Sequence, residues 1–287
     1  MTRAIAVGYA SMDYPALLDG RFLPDQTVLI KQRAADEFPR PGGSPLYVAR
    51  PWVTTGCNAT LVTWVGDDEL GRHFTNSTLE YGIAADGIAI VDDGATPVCF
   101  LIYQEDGSCG CCFDPGFLGR ETLTPEQSAY LRDADLLCVT VGPPDIGADA
   151  LALVADSATV AWVAKNDPVS YPESFRLALG ARADYVFCNR REREWIDQAL
   201  LNRSKAAPLI VETDGADPVK VERGGEVHYL DVTELEVHDP TGAGDTLAGG
   251  CLAAVLAGET EPQRIAQAGI DASAAMLRRR LGKGLDS

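Results

Sequence analysis

The sequence contains no hydrophobic run long enough to cross a membrane. The apolar segment at its start, residues 1–8, is also too short for a signal peptide, so we expect a cytoplasmic protein. The 287 residues carry a net charge of −18 at pH 7. Because nucleic acids and anionic membrane surfaces would repel so acidic a chain, we expect neither as a partner.

Lysine is scarce, with five residues in the whole chain. An anion-binding site here would therefore take its positive charge from backbone amides, from a few arginine or lysine side chains, or from a metal ion. Hydrophobic residues make up 46% of the sequence and charged residues 23%, which is ordinary for a globular protein. A chain of this length can bury a substantial core, and length alone would permit two domains, although α/β folds of this size often form one. The pattern and the resemblance described below lead us to expect one α/β domain over residues 1–287.

The eight cysteines do not form a disulfide framework. Five of them stand alone in apolar surroundings, where cysteine behaves as a small hydrophobic residue. Cys109, Cys111 and Cys112 lie close together and could bind a soft metal or be oxidised, but no second pair of cysteines or histidines lies nearby to complete a tetrahedral site. We expect reduced thiols on a strand, and a thiol or metal protein is a distant alternative.

The common nucleotide motifs are missing as well. There is no Gly-x-x-x-x-Gly-Lys-Ser/Thr segment, and Gly242-x-Gly244 lacks the third glycine of the dinucleotide fingerprint. The chain has instead Asp-Pro-Thr-Gly-Ala-Gly-Asp-Thr at residues 239–246, between a strand-like run at 236–238 and an apolar helix predicted over 247–257. Glycines at a helix start let a ligand approach the backbone, and the free amides and dipole of the first turn favour an anion such as phosphate.

Asp245 adds a carboxylate to this predicted anion site. A negative group beside a bound phosphate makes chemical sense if it accepts the proton of an attacking hydroxyl. The alternative is an ordinary helix start that is capped by Thr241 and flanked by acidic residues. That alternative does not explain two glycines, which weaken the helix that they open. The stretch therefore favours phosphoryl-transfer chemistry.

The remaining pattern is that of a parallel sheet covered by helices on both faces. Buried strands are predicted at residues 4–8 and 59–65, and Asp67 or Asp68 is expected to cap the helix after the second. Further strands are predicted at residues 136–141, 159–163, 185–188 and 209–212, helices near 45–55, 125–132, 147–156, 171–180 and 190–201, and a late hairpin at 219–223 and 226–230. Near-continuous apolar strands between helices indicate a three-layer α/β/α fold with a mainly parallel sheet.

Two inserted segments, at about residues 14–39 and 96–114, interrupt this alternation. The first contains a strand-like run at 27–30, and the second is typical of an antiparallel pair formed by residues 97–104 and 110–113. We expect the two segments to form a small β-sheet that serves as a lid. Asp13 follows the first strand of the main sheet, where ligands of open α/β sheets bind, although a turn aspartate would give the same pattern.

These features resemble the ribokinase-like, or PfkB-type, family of carbohydrate and nucleoside kinases over nearly the whole chain. The segments that carry the resemblance are Gly8…Asp13, the glycine pair Gly42-Gly43, the first signature at residues 65–71, Asn-x-x-Glu at 189–192 and the second signature at 239–245. The departures are Tyr47 in place of the family's asparagine, Ala164 at an acidic position, Pro218 in place of a glycine, and Pro240 inside the second signature. They fall mainly on substrate recognition, so they leave the reaction type intact.

The resemblance implies an ATP-dependent kinase that transfers the γ-phosphoryl group to a hydroxyl, expected to be primary, of a small sugar or sugar derivative. Asp245 would be the general base, and the amides of Gly242, Ala243 and Gly244 would bind the developing charge. The other implied roles are acceptor binding by Asp13, Gly42, Gly43 and Asn166, nucleotide binding by Thr213, Gly215 and Asn189, Mg²⁺ held through its waters by Glu192 and Asn189, and a monovalent cation such as K⁺ at Asp239. Lys165 and Arg33 are further candidates for contact with substrate or phosphates.

Other functions stay open at this point. A nucleoside or vitamin-precursor kinase would use the same fold, and a base would need a stacking partner, for which Tyr9, Tyr14, Phe38 and Tyr47 are candidates. A non-catalytic sugar- or nucleotide-binding regulator is disfavoured by the intact Gly-x-Gly-Asp. A homodimer would follow if the lid strands also paired with a second copy, which the apolar run 28–30 favours.

Overall fold

The computed structural model of the chain describes residues 1–34, 36–201 and 203–283. In order, the strands are β1 (Arg3–Val7), β2 (Ser11–Asp19), β3 (Leu29–Arg33), β4 (Arg40–Gly42), β5 (Asn58–Gly66), β6 (Ile88–Val91), β7 (Val98–Tyr103), β8 (Cys109–Asp114), β9 (Leu136–Val139), β10 (Thr159–Val163), β11 (Tyr185–Asn189), β12 (Leu209–Thr213), β13 (Val219–Arg223) and β14 (Glu226–Leu230). The helices are α1 (Ser44–Ala49), which a 3₁₀ helix at Arg50–Thr55 continues, α2 (Glu69–Glu80), α3 (Pro125–Arg132), α4 (Pro144–Leu153), α5 (Glu173–Arg182), α6 (Arg193–Leu200), α7 (Ala243–Leu256) and α8 (Pro262–Lys283).

The larger sheet runs through the centre of the molecule. Its strand order over the described residues is β14-β13-β12-β11-β10-β9-β1-β5-β6. The strands from β12 to β6 pair in parallel, and the hairpin β13–β14 adds an antiparallel edge. The predicted, mainly parallel sheet is therefore confirmed.

Side chains alternate between the two faces of this sheet and thereby create two core layers. Ala4 and Ala6 of β1 belong to the cluster that includes residues of α1, α2, α7 and α8. Ile5 and Val7 belong to the cluster that includes residues of α3, α4, α5 and α6. The helices thus cover both faces, as the three-layer prediction requires. None of the helices in the described ranges is long and apolar enough to span a membrane.

The smaller sheet has the order β3-β2-β7-β8, and β4 pairs with β2. Its central pair, β2 with β7, is parallel, whereas β3 and β8 are antiparallel to their neighbours. The sheet draws on both predicted insertions, because β3 lies in the first and β7 and β8 lie in the second. Residue 35 of the first insertion and residues 284–287 of the predicted domain lie outside the described residues.

Some predicted boundaries were wrong. The strand β2 was not predicted, and Asp13 lies inside it rather than in a turn beyond β1. The reason is that β2 is buried on both faces, so its sequence shows no alternation of polar and apolar residues. Residues 236–238 are not a strand, and α7 begins at Ala243 rather than at 247, so the second half of the predicted anion motif forms the first turn of the helix. The strand predicted at 27–30 is β3, which begins two residues later, and α4 begins three residues earlier than predicted. The helix predicted at 45–55 is an α-helix only as far as Ala49 and continues as a 3₁₀ helix, and β6 was not predicted.

Candidate functional site

A cavity of about 630 Å³ opens at the carboxyl ends of the central strands. Val163, Asn189 and Thr213, the last residues of β10, β11 and β12, lie in its wall. The small sheet contributes residues of β2, β7 and β8 to the opposite side, among them Asp13 and Tyr103. The first turn of α7 completes the enclosure, so the cavity lies at the edge of the sheet where α/β proteins bind ligands.

Asp245 lies in the first turn of α7, lines this cavity and is 9% exposed. Gly242 precedes the helix with a φ of 77°, and a side-chain carbon there would lie 2.7 Å from the ring of Tyr47. Both the left-handed backbone and the close contact require glycine. A carbon added to Gly244 would meet open space, so the cavity reaches the backbone at that residue.

The amides at this helix start are not equivalent. The N–H of Ala243 donates to the carbonyl of Pro240 at 3.0 Å, and the N–H of Thr246 donates to Gly242 at 2.8 Å. For the amides of Gly244 and Asp245, the described residues provide no acceptor. An anion would therefore meet Gly244 and Asp245 first, and the contribution expected from Ala243 would require it to exchange its present partner.

Asp13 is held inside the cavity wall at 2% exposure. Its carboxylate accepts from the Ser11 hydroxyl at 2.6 Å and from the Tyr47 hydroxyl at 3.3 Å. Burial raises the pKa of Asp13 to about 6, although the hydrogen bond from Ser11 works in the opposite direction. A side-chain carbon on Gly42 would collide with this carboxylate, so Gly42 makes room for Asp13, while Gly43 lines the cavity.

Glu192 joins the loops that follow β10 and β11. Its two carboxylate oxygens accept from the backbone N–H groups of Asn166 at 2.9 Å and Asn189 at 2.8 Å. The Asn189 side-chain oxygen in turn accepts from the Glu192 amide at 3.1 Å. Burial raises the pKa of Glu192, which is 3% exposed but lines the cavity.

Asn166 itself is not among the residues that line the cavity, whereas its neighbours Lys165 and Asp167 are. The structure thus brings the Asn166 backbone, but not its side chain, to the site. The Lys165 side chain is exposed to the cavity, and the Asp245 carboxylate raises its pKa. Lysine at this position was only a minor candidate from the sequence.

The donor set fits a magnesium ion that is held through its waters. Each Glu192 oxygen accepts one backbone hydrogen bond, and a carboxylate oxygen can accept a second from a water. Within the described part of the chain, no three Asp, Glu, His or Cys side chains are grouped so as to hold a metal directly. Cys109, Cys111 and Cys112 form no such group within the described ranges either. Cys109 and Cys111 line the cavity, and the Cys111 sulfur is 3.2 Å from that of Cys99.

A second cavity of about 300 Å³ adjoins the first. It contains Gly215 and is otherwise lined largely by apolar residues, including Val219, Val237 and Leu277. The two cavities share Thr213, Pro240, Ala243, Gly244 and Leu247. Of the predicted nucleotide residues, Gly215 lines the smaller cavity, Thr213 lines both, and Asn189 lines the larger one together with the predicted acceptor residue Asp13.

Two predicted stacking residues reach the first cavity and two do not. Tyr9 and Tyr47 line it, and the ring of Tyr9 is 5.3 Å from that of Phe113, which the sequence had not singled out. Tyr14 and Phe38 are absent from the lining and pack edge to face against each other at 5.4 Å.

Asp239 lies behind the helix start and lines neither cavity. Its carboxylate forms an ion pair with Arg40 at 2.6 Å and accepts from the Tyr103 hydroxyl at 3.0 Å. A second arginine, Arg280 of α8, donates to the carbonyls of Asp239 and Thr241. Neither arginine was foreseen, because nothing in its own sequence neighbourhood points to residue 239.

Comparison with known proteins gives a consistent result. The model of the pfkB family carbohydrate kinases matches residues 1–284. The chain is 28% identical over 273 residues to the ATP-dependent ribose-1-phosphate kinase of Halopiger xanaduensis, over 89% of this chain and 86% of that one. It is 28% identical over 265 residues to the cytidine kinase of Thermococcus kodakarensis, over 88% of both. Its fold matches the ribokinase of Cryptococcus neoformans var. grubii serotype A in complex with ADP, with a TM-score of 0.76 and 20% identity over 95% of this chain and 93% of that one.

Proposed function

The chain belongs to the pfkB family of carbohydrate kinases, and we propose that it transfers the γ-phosphoryl group of ATP to a hydroxyl of a small, uncharged sugar or sugar derivative. That it is a phosphotransferase of the sugar or nucleoside kinase type follows from the family. The acceptor, the hydroxyl and the residue roles are the proposal. The observation that carries it is the position of Asp245 at the helix start shared by two adjoining cavities.

Asp245 is the general base in this mechanism. A hydroxyl bound in the larger cavity gives its proton to the Asp245 carboxylate as its oxygen attacks the γ-phosphorus. The bond from that phosphorus to the bridging oxygen of ADP breaks, and the backbone amides of Gly244 and Asp245 bind the charge on the transferred group. A carboxylate is a weak base, but phosphoryl transfer depends more on position and charge than on base strength.

The nucleotide occupies the smaller cavity. Its apolar wall suits a purine ring. Thr213, Gly215 and Gly244 line the same cavity, and Gly244 also belongs to the proposed anion site. Mg²⁺ bound to the phosphates would neutralise part of their charge. Glu192 would hold waters of that ion, in keeping with the carboxylate's position at the cavity wall. The Asn189 side-chain oxygen, the other acceptor expected here, is already occupied by the amides of Arg191 and Glu192, so Asn189 would act by positioning Glu192.

Asp13 receives the acceptor's hydroxyls, supported by Gly43 and Ser44 in the cavity wall. An uncharged acceptor is favoured by the charges of the cavity. Among its described lining residues Lys165 is the single cation, whereas the acidic ones are Asp13, Asp167, Glu192 and Asp245. A phosphorylated acceptor such as the one named for the Halopiger relative would meet net negative charge there.

The small sheet acts as a lid in this proposal. Residues of β2, β7 and β8 form one wall of the acceptor cavity, and their closure would exclude water, which otherwise competes as phosphoryl acceptor. A homodimer through the lid remains part of the proposal. Leu29 and Ile30 of β3 expose their side chains on this sheet, as an interface would require.

A nucleoside is the second candidate acceptor. The ring pair Tyr9 and Phe113 borders the cavity and could stack against a base. The cytidine kinase among the relatives points in the same direction. A panel of pentoses, hexoses and nucleosides, assayed by ADP production with Mg-ATP, separates the two candidates.

Replacement of the base tests the mechanism. We expect Asp245→Asn to lower kcat by about 10²–10⁴-fold with the best acceptor of the panel, while the variant still binds a nonhydrolysable ATP analogue. Asp149→Asn changes an exposed residue of α4 and is the matched control, expected to keep wild-type kcat. Turnover of Asp245→Asn at the wild-type rate would rule out Asp245 as the base.

A further inference from the structure

The family resemblance implies a monovalent cation at Asp239, and Arg280 lies at that position. We propose that the Arg280 guanidinium replaces this cation, because it supplies the positive charge and binds the backbone oxygens there. The proposal rests on the proposed function, because the group that Arg280 would support is the anion site at the start of α7. Arg280 is a positioning residue here, since it touches the backbone ahead of that site and not the substrate.

One nitrogen of Arg280 holds the backbone on which a cation would depend. Nη1 donates to the carbonyl oxygen of Thr241 at 2.6 Å and to that of Asp239 at 3.1 Å. The same nitrogen is 4.0 Å from Oδ1 of Asp239. Three oxygens that precede Gly242 therefore converge on a single cationic nitrogen, and an alkali-metal ion could reach them directly only if the guanidinium left.

The rest of the guanidinium is fixed by other elements. Nε is 3.6 Å from the Asp36 carboxylate, and Nη2 is 3.4 Å from the Tyr47 hydroxyl. The group also lies 5.8 Å from the centre of the Tyr47 ring, and the side chain is only 11% exposed. Arg280 thus connects α8, α1 and the segment before β4 to the backbone ahead of the anion site.

The two carboxylates beside this position, Asp36 and Asp239, are already paired with arginine side chains. Arg40 lies 2.6 Å from Asp239 and 3.3 Å from Asp36, and Arg280 contacts the same two carboxylates. Two guanidinium groups therefore face two carboxylates in a region with little access to water. An added K⁺ would have to lie beside both guanidinium groups, and the repulsion between these like charges is poorly screened where little water enters. The monovalent cation expected at Asp239 does not fit the residues present.

The consequence for the reaction is geometric. Gly242 follows Thr241 directly and must keep its left-handed backbone for the amides of Gly244 and Asp245 to face the cavity. By holding the carbonyls of residues 239 and 241, Arg280 fixes the approach to that turn. Its charge also adds to the positive end of the α7 dipole.

The test compares cations at constant ionic strength. Wild-type protein is assayed with Mg-ATP and the best acceptor of the panel in tetramethylammonium chloride, then in KCl and in NaCl. We expect the same kcat in all three salts. A kcat that collapses without K⁺ would overturn the inference, and this arm needs no variant.

Removal of the guanidinium should make kcat depend on an added cation, on which the wild-type kcat does not depend. In tetramethylammonium chloride we expect R280M, which keeps an apolar stem against Tyr47, to lose about 10- to 100-fold in kcat with little change in the KM of the acceptor. Added KCl or guanidinium chloride should restore part of the loss, and R280K should keep most of the wild-type kcat. R279A alters an exposed neighbour on the same helix and should match the wild type. An R280M variant with wild-type kcat and no added cation would refute the role.

A readout without turnover separates this inference from the proposed function. In the absence of substrates, KCl should raise the melting temperature of R280M above its value in tetramethylammonium chloride, and it should not do so for wild type or R279A. If no acceptor is phosphorylated, the proposed function fails, while this measurement still decides whether Arg280 replaces a cation. Equal responses to KCl in R280M and wild type would count against that replacement.

Discussion

A buried carboxylate without a full positive partner is costly to ionise, and Asp13 is such a group. Its contacts are two hydroxyls, and Arg40, whose charge lowers the pKa of Asp13, is itself engaged by Asp36 and Asp239. The pKa of about 6 follows from this position. At neutral pH the carboxylate is ionised and accepts hydrogen bonds, and ligand hydroxyls would supply the donors that it lacks.

The pH dependence of kcat/KM for the acceptor should therefore follow the protonation of Asp13. Below about pH 6 the carboxyl group is protonated and loses its capacity as a double acceptor, so we expect kcat/KM for the acceptor to fall about tenfold per pH unit on the acid side. Asp13→Asn should show a low kcat/KM without this acid limb. An unchanged limb in Asp13→Asn would assign it to another group, such as Glu192, whose pKa burial also raises.

The raised pKa of Asp13 also means that the folded state becomes less stable as the pH rises through about 6. Since the folded pKa of Asp13 is raised from its ordinary 3.8 to about 6, the folded state holds the proton more tightly than the unfolded state does. Its contribution to folding is fully present below about pH 4 and is lost as the pH rises through about 6. Asp13→Asn, which cannot ionise, should accordingly raise the Tm of the ligand-free protein at pH 8 and leave it nearly unchanged at pH 4.

At the scale of elements, the first family signature, residues 65–71, contains the residue that caps α2. Asp68 caps α2 by accepting from the Gly71 amide at 2.7 Å, and its other oxygen accepts from the Thr96 amide at 2.7 Å. The cap therefore ties α2 to the segment that leads into β7. Hydrogen bonds from Thr96 and Gly71 hold the pKa of Asp68 below its ordinary value even though partial burial opposes this. Asp68 does not line the acceptor cavity.

Loss of this cap should reduce stability and spare catalysis. We expect Asp68→Ala to lower the free energy of unfolding by about 1–2 kcal/mol, measured by urea denaturation, with an unchanged kcat well below the melting temperature. Because the folded pKa is depressed, the difference from wild type is present at neutral pH and shrinks as the pH falls below the ordinary pKa of aspartate. Asp67→Ala is the matched control, since Asp67 is exposed and its one side-chain contact among the described residues is a surface ion pair with Arg72. Equal losses in both variants would contradict the capping role.

At the scale of the whole molecule, charge opposes compaction. The chain has 42 acidic residues against 24 Lys and Arg residues, and its sequence pI is about 4.5. A surplus of this size makes the folded state repel itself, and dissolved salt screens that repulsion. The surface ion pairs between side chains are individually weak and would be screened as well.

Salt should therefore stabilise the ligand-free protein at neutral pH. Between about 10 mM and 0.1 M NaCl, where the Debye length falls from about 30 Å to about 10 Å, we expect Tm to rise by a few degrees. Near pH 5, where more carboxyl groups are protonated, the increase should be smaller. A Tm that falls with salt would mean that the surface ion pairs outweigh the repulsion.

Much of the fold and of the reaction type could be predicted from the sequence because the signals are local. Apolar strands alternate with helices along the chain, and these elements proved to form the central sheet and its two helical layers. The prediction of the reaction type depended on one contiguous stretch, residues 239–245, whose last three residues open α7. Even there, the hydrogen bond from Ala243 to Pro240 depends on the turn geometry, which the composition does not reveal.

Only the tertiary structure decided which charges stand behind that site. Asp36, Arg40, Asp239 and Arg280 are up to 244 residues apart along the chain, yet they meet beside Thr241. The cost of burying a charge depends on its neighbours in space, and no local pattern records those neighbours. The residues around 239–245 thus led to the predicted kind of chemistry, and the packing of α8 against α7 determined that a guanidinium, that of Arg280, holds the backbone of residues 239 and 241.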